Sequence, residues 1–582
     1  MASTILDSPK LSKNPSAVPS LAPSTDQDAQ AQSDTSVQFA DAEKPSTAIS
    51  DVSDAVPFNP GWRFILAFIS LSTLCLMVAL DATSLSVALT VMARALKGTA
   101  IEAFWAGTSF LLTSTVSQPI FGSFSEVFGR KSMLYIAITL FGIGAITAAV
   151  ANDFTVILVG RSIQGIGGGG VICLTEIVAT DLVPLRERGK WFSFFSAMWS
   201  VGTVVGPLLG GGFSQNITWR WIFWINLPFI GVAVPMVVVF LRLHHQTSSL
   251  AEKLLRIDWI GAIVFVASVT GLLIPITWGG VMYDWSSWRT LVPLVVCGVA
   301  LIAFIIYEDR FAKNPLIRTR VFKNRTAASV FFQTVIHGLV LWCGLYYLPL
   351  YYEGVKGFTP ILSGVALFPQ TFTVAPSAMA AGFGIAITGR YRWALWSGWF
   401  LTTFGYGLLI YLEVDTSTVS WIFLTLVPGL GTGMLFSAMA IAVQASATNE
   451  DQAAAVTMFS FLRVLGQTLG VAIGGVIFQN QVKKKLLTYP PLAANATAYS
   501  KDASGLVGII KAMPDGLAKS QLKESYVCGL RYVWIVTTAL AAVALFSSFF
   551  ADGLPLDRAL ETQQGFKHQE RIAQVEENKD SA

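Results

Sequence analysis

Residues 62–90 read WRFILAFISLSTLCLMVALDATSLSVALT, and once Arg63 is passed Asp81 is the one charge in the run. About 20 apolar residues in a helix cross the hydrocarbon core of a bilayer, so this run is long enough to span. Hydrocarbon offers no partner to backbone N–H and C=O groups, so a continuous run of this kind reads as a transmembrane helix. A charge in the middle of such a helix costs about 2.5–3.5 kcal/mol on insertion scales. Asp81 is therefore expected to face a cavity or a partner rather than lipid.

The pattern recurs along the chain. Thirteen further apolar runs lie at 104–124, 132–151, 154–176, 192–213, 221–241, 258–278, 290–307, 327–351, 360–386, 394–412, 420–445, 453–479 and 527–550. The 582 residues are 53% hydrophobic and 13% charged, against roughly 25% charged in soluble domains. That composition excludes a soluble enzyme, a disordered scaffold and a nucleic-acid binder. The expected fold is an all-α polytopic membrane protein with about 14 transmembrane helices. Its expected divisions are a six-helix half at 61–242, an inserted helix pair at 243–325 and a second six-helix half at 326–551. The second half carries a long exterior loop at 480–526. Residues 1–60 are rich in Ser, Ala, Asp, Pro and Thr, a composition that cannot bury a core and is expected to be disordered. No basic stretch leading into an apolar core precedes the first span, which is expected to act as the targeting signal itself. Residues 552–582 form a polar C-tail.

Lys and Arg set the orientation. The loops after the even-numbered spans, up to the twelfth, hold sixteen of them, and the loops after the odd-numbered spans, up to the eleventh, hold five. The positive-inside bias places the first set, and both termini, in the cytoplasm. Lys483, Lys484 and Lys485 in the exterior loop run against this bias, which counts long loops weakly. The same loop contains Asn495-Ala496-Thr497, a glycosylation sequon with Asn495 as acceptor. The plasma membrane is the expected location, with the vacuolar membrane as the alternative, and the chain is expected to be a monomer.

Asp81 in span 1 and Arg161 in span 4 are the charges that matter. At 1.5 Å per residue they lie about 20 and 12 Å below the exterior ends of their helices, within reach if the spans are neighbours. One reading is a carboxylate that exchanges protons beside a fixed cation. The other is a structural ion pair between two helices. Two glycine-bearing stretches accompany them: Gly122-Ser123-Phe124-Ser125-Glu126-Val127-Phe128-Gly129-Arg130-Lys131 leaving span 2, and Gly202-Thr203-Val204-Val205-Gly206-Pro207-Leu208-Leu209-Gly210-Gly211 in span 5. Glycines four apart share a helix face and permit close packing, and Pro207 weakens its helix.

In these motifs the sequence resembles the major facilitator superfamily, in its fourteen-span drug:proton antiporter branch, over about residues 60–550. Leu80-Asp81-Ala82-Thr83 resembles that branch's first-span motif, and Arg161, Gln164 and Gly165 its fourth-span motif. Gly122, Glu126, Gly129, Arg130 and Lys131 match the loop motif after span 2, with Glu126 where Asp is usual. Gly202, Gly206, Pro207, Gly210 and Gly211 match the antiporter motif of span 5. Trp219 to Phe223 with Asn226 and Pro228, and Arg463 to Gly466, also look like this branch. The resemblance implies alternating access, proton coupling through Asp81 and Arg161, and a cytoplasmic latch at Gly122–Lys131. It implies efflux of small hydrophobic compounds, such as a secondary metabolite, toxin or drug, as fungal members perform. An importer or vacuolar carrier of the same fold, and a non-transporting sensor, are the alternatives.

Polar groups in apolar runs are candidates for the substrate cavity: Gln118, Gln164, Gln333, His337, Gln370 and Arg463. Gly165 to Gly170 fits a dinucleotide-binding pattern but follows no strand. Gly384 to Tyr391 resembles a phosphate-binding loop without its Lys-Ser/Thr pair. No Cys/His cluster has metal-ligand spacing. No cofactor, metal or catalytic set is expected; the expected partners are a small-molecule substrate, protons and lipid.

Overall fold

The computed structural model describes residues 60–98, 100–243, 249–279, 282–500 and 503–557. The tail expectations for residues 1–59 and 558–582 lie outside the described residues.

Each apolar run is helical, with run 221–241 divided at Ile225 and run 360–386 at Leu367. The long helices are α1 (Trp62–Ser84), α2 (Ala100–Phe128), α3 (Arg130–Ala149), α4 (Phe154–Leu182), α5 (Leu185–Asn216), α6 (Asn226–Phe240), α7 (Trp259–Trp278) and α8 (Trp288–Arg310). They continue as α9 (Arg325–Leu350), α10 (Phe368–Thr388), α11 (Arg392–Leu409), α12 (Thr418–Ser446), α13 (Gln452–Leu486) and α14 (Leu517–Ser548). Short polar side chains start several of them. Asp153, Asp258, Asn324 and Ser417 each accept a backbone N–H in the first turn of the helix that follows, satisfying donors that the helix itself leaves free.

Among the described residues twelve helical stretches are long and apolar enough to cross a membrane. The expected count of fourteen requires α2 and α11 as well. α2 is a 29-residue helix whose Ser, Thr and Gln residues dilute its apolar character. α11 is 18 residues long. Both pack against the bundle, α2 on α4 and α11 on α12.

The pairing of α1 to α6 recurs in α9 to α14. α1 packs on α5 and α6 as α9 packs on α13 and α14, and α4 packs on α2 and α3 as α12 packs on α10 and α11. The two sets meet through α5 against α10 and α2 against α13, which is also a symmetric exchange. α7 and α8 stand beside this bundle. Phe124 of α2 meets Trp259, and Phe265 meets Phe461 of α13. α8 presents Val292, Val295, Val296, Val299, Ile302 and Ile306 outward, a branched aliphatic surface that lipid covers at no cost and water would not.

The expected exterior loop 480–526 is mostly helical. α13 runs on to Leu486, α14 begins at Leu517, and Pro490–Ala493, Ala496–Ser500 and Ala503–Ala512 are short helices between them. The apolar run marks where a helix meets lipid, not where it stops. Lys483, Lys484 and Lys485 occupy the last turn of α13, where cations favour the negative end of the helix dipole.

The glycines of α5 bring it close to α1. A Cβ at Gly202 would lie 2.4 Å from Ala79 Cβ, one at Gly206 would lie 2.1 Å from Thr83 Oγ1, and one at Gly210 would lie 2.0 Å from the Ser84 carbonyl oxygen. Thr83 Oγ1 donates to the Gly202 carbonyl at 3.0 Å. Gly211 turns the other way, toward Ile361. Gly210→Ala is expected to destabilise the purified protein by about 1–3 kcal/mol, as overpacking does. Gly212→Ala, with open space at its Cβ, is expected to leave the melting temperature unchanged. Equal melting of the two variants would contradict this reading of the α1–α5 contact.

Candidate functional site

The close α1–α5 packing fixes the register of α1 on both sides of Asp81 and turns its carboxylate toward α4 and α6. Asp81 is 1% exposed. Arg161 of α4 donates from Nη1 to Asp81 Oδ2 at 2.5 Å. Oδ1 accepts from Gln164 Nε2 at 2.8 Å and from Asn226 Nδ2 of α6 at 3.0 Å. The Gln164 amide also accepts from Arg161 Nη1 at 2.8 Å, so it bridges acid and base. Arg161 Nε donates to the Ala106 carbonyl of α2 at 3.0 Å, and its guanidinium lies 4.3 Å from the Phe110 ring centre. Four helices thus share one buried ion pair. Loss of one member of such a pair costs about 3–5 kcal/mol, because the other charge is left without compensation.

The stretch leaving α2 forms a second polar centre at the end of the bundle where α2 turns into α3. Gly129 has φ +91°, a left-handed conformation open to glycine. It turns the chain so that Arg130 points inward, where its Nε meets Asp181 Oδ2 of α4 at 3.1 Å and its Nη1 meets Ser125 Oγ at 2.7 Å. Lys131 Nζ donates to the Val238 carbonyl of α6 at 3.0 Å. Gly122 faces Thr457 of α13 so closely that a Cβ would lie 2.5 Å from its side chain. Glu126 is held by Arg318 Nη2 at 2.6 Å, and Arg318 Nη1 also reaches Asp451 Oδ1 at 3.0 Å. Burial alone would lower the Arg318 pKa; the Glu126 and Asp451 carboxylates outweigh it and hold it above the usual guanidinium value. Arg188 of α5 adds bonds to Gln444 at 2.9 Å and Gln452 at 2.7 Å. At this end the two helix sets are joined by charge-assisted bonds.

Between the sets lies a narrow, partly enclosed cavity lined by Cys75, Ile172, Thr175, Glu176, Phe195, Trp199, Phe436 and Arg463. Glu176 of α4 and Arg463 of α13 close it with an ion pair at 2.7 Å. Ser460 Oγ also donates to Glu176, and Phe436 lies 4.6 Å from the Arg463 guanidinium.

The structure gathers some sequence candidates and disperses others. Asp81, Arg161 and Gln164 come together, and Arg463 alone of the six cavity candidates lines this cavity. Gln333 accepts from Trp399 Nε1 at 2.7 Å and donates to Ser329 at 2.9 Å. His337 Nε2 lies 3.0 Å from the Thr432 carbonyl, and Gln370 Nε2 lies 3.3 Å from Tyr406 Oη. These three bind helices of the second set to one another. Gln118 is buried in α2 with both amide atoms unpartnered. Asn495 is exposed, in the turn between Pro490–Ala493 and Ala496–Ser500.

Sequence reasoning missed Glu176, Arg318 and the bond from Asn226 to Asp81. Glu176 stood at the end of the apolar run, yet α4 continues to Leu182; an acid more than one turn inside a helix was the signal. Arg318 was one of several loop cations, and nothing local marks it as the partner of Glu126.

The fold and its buried polar centres define a multi-pass helical membrane protein whose charges turn inward between helices. Residues 69–475 match the sequence profile of the Major Facilitator Superfamily, and the chain belongs to that superfamily. It is 62% identical over 532 residues, covering 91% of this chain and 89% of the relative, to MFS transporter L2 of Phoma sp.. It is 35% identical over 532 residues to Efflux pump FUS6 of Gibberella fujikuroi, covering 90% of this chain and 95% of that one. The solved human organic anion transporter MFSD10 (TETRAN) shares the fold, with a TM-score of 0.54 at 15% identity over 83% of this chain and 99% of that one.

Arg318→Ala removes the ties to Glu126 and Asp451. Cys173, buried on α4 against Thr457 of α13 with Sγ to Oγ1 at 3.8 Å, reports on the opening of this end. Its labelling by N-ethylmaleimide, in a background lacking the other four cysteines, is expected to quicken several-fold in Arg318→Ala. An unchanged rate would mean that the tie does not hold the end closed.

Proposed function

We propose that the chain is a proton-coupled exporter of small hydrophobic organic compounds, of the kind represented by secondary metabolites, toxins and drugs. The observation that carries the reading is the Asp81 cluster. Protonation of Asp81 removes the negative charge that Arg161 pairs with and makes a donor of one of the two oxygens that accept from Arg161, Gln164 and Asn226, so proton arrival and departure change how α1 is held by α4 and α6. A bond that switches with one proton, between helices of one six-helix set, is what coupling requires. The outward direction is supported by relatives named as efflux pumps.

In this reading the two helix sets rock against each other along the α5–α10 and α2–α13 contacts. The Gly122–Lys131 end faces the cytoplasm, and its bonds to Arg318 and α13 latch it in the state seen here. The plasma membrane is the site of action and the unit is a monomer. The exposed Asn495 carries glycan on the exterior face.

Cells expressing the protein are expected to accumulate less of an exported hydrophobic compound than cells without it, and a protonophore abolishes the difference. Asp81→Asn is expected to raise accumulation to the level of cells without the protein, while Asp81→Glu retains part of the export. Full, protonophore-sensitive export by Asp81→Asn would remove Asp81 from the coupling role. Higher accumulation in expressing cells would reverse the direction.

A further inference from the structure

We infer that the cavity between the two helix sets binds amphipathic organic acids, with the ligand's carboxylate taken by Arg463 and its apolar body by Trp199, Phe195 and Phe436. The inference deepens the export reading and rests on it for the ligand's being cargo.

The buried polar atom of the cavity that lacks any partner is a donor. Both oxygens of Glu176 are engaged, Oε1 by Arg463 and Oε2 by Ser460. Arg463 holds Glu176 through Nη2 alone, and its buried Nε has no partner. A guanidinium can pair a carboxylate through two parallel N–H bonds, a stronger arrangement than a single contact. A ligand carboxylate taken up in that way therefore competes with Glu176, which keeps its bond to Ser460. A buried donor without a partner is costly, so a ligand acceptor at Nε relieves an existing deficit. An ammonium ligand would have to share Glu176 with Arg463 and meet the Arg463 charge beside the acid it needs. The rest of the wall is Ile172, Phe195, Trp199 and Phe436 with Cys75 and Thr175, whose thiol and hydroxyl are spent on the Phe195 and Ile172 carbonyls. This leaves a site with one polar anchor and an apolar floor, the usual form of a small-molecule site.

The pair also spans the two sets, Glu176 on α4 and Arg463 on α13. A ligand that takes Arg463 from Glu176 replaces a bond between the sets with a bond to itself. Entry of the acid would thus loosen the bundle at its middle while the latch end remains joined, giving the ligand different affinities for different states of the carrier.

The test uses the purified full chain in detergent at neutral pH and three probes with one ring system: 1-naphthylacetate, 1-naphthylacetamide and 1-naphthylethylamine as its cation. Binding is read by equilibrium dialysis. The wild type is expected to bind the acid about tenfold or more tightly than the amide, with the amine weakest. Arg463→Gln is expected to erase the preference, and Arg463→Lys to restore part of it. Glu176→Gln, which removes the competing carboxylate, is expected to tighten acid binding several-fold. Equal binding of acid and amide, tighter binding of the amine, no binding of the acid, or a preference that survives Arg463→Gln in a protein of wild-type melting temperature would each overturn the inference. A loss of acid binding in Glu176→Gln would do so too, without dependence on the folding of any Arg463 variant. These measurements need no proton gradient. An acid preference that fails beside intact protonophore-sensitive export strikes the inference alone, and a preference that holds where export fails strikes the export reading alone.

Discussion

A carboxylate that water cannot reach has to be met by donors on every side, and this requirement governs how α1, α4 and α6 come together. Asp81 is met by Arg161, Gln164 and Asn226. Removing two charges from water costs several kcal/mol per ion, recovered only when geometry is good and the remaining hydrogen-bonding sites are filled. The glycine face of α5 serves the same end. It lets α1 approach so closely between Ala79 and Ser84 that the neighbours of Asp81 are fixed and its carboxylate has one direction left. A residue that changes charge at this point changes the hold of three helices at once.

The polar groups that join the two helix sets lie elsewhere and are of a different kind. Within the first set the Asp81 cluster is closed on itself. Between the sets, Glu176–Arg463 at the cavity and Glu126–Arg318–Asp451 at the α2–α3 turn each join residues far apart in sequence. Charge-assisted bonds of this type are strong enough to favour one state and few enough to be exchanged. The aliphatic face of α8, by contrast, takes no part in these contacts and meets lipid.

The fold was legible because lipid imposes it. A continuous apolar chain segment in hydrocarbon has to satisfy its own backbone, so the apolar runs led to helices without knowledge of any contact, and twelve of the helical stretches among the described residues are long and apolar enough to cross a membrane. Asp81 and Arg161 were legible for a related reason: a charge in an apolar run needs a partner, and the depth of each along its helix leaves the two within reach of each other. What could not be read was pairing across long separations. Glu176 meets Arg463 and Glu126 meets Arg318 through the packing of α2, α4 and α13, for which no local pattern exists. Gln333, His337 and Gln370 show the converse error. A polar side chain in an apolar run reads as facing a cavity, but a neighbouring helix supplies its partner equally well. The ends of α13 and α14 were misplaced because polar residues mark the edge of the membrane, not the end of a helix.

The central claim is that Asp81 is the group whose proton is exchanged for cargo. The direct measurement is the proton balance of the purified protein in weakly buffered detergent, read with a pH indicator on addition of a compound that cells export. The account predicts proton release by the wild type and none by Asp81→Asn, with the compound still bound by both. Equal proton release from Asp81→Asn would show that another group carries the proton and would contradict the account.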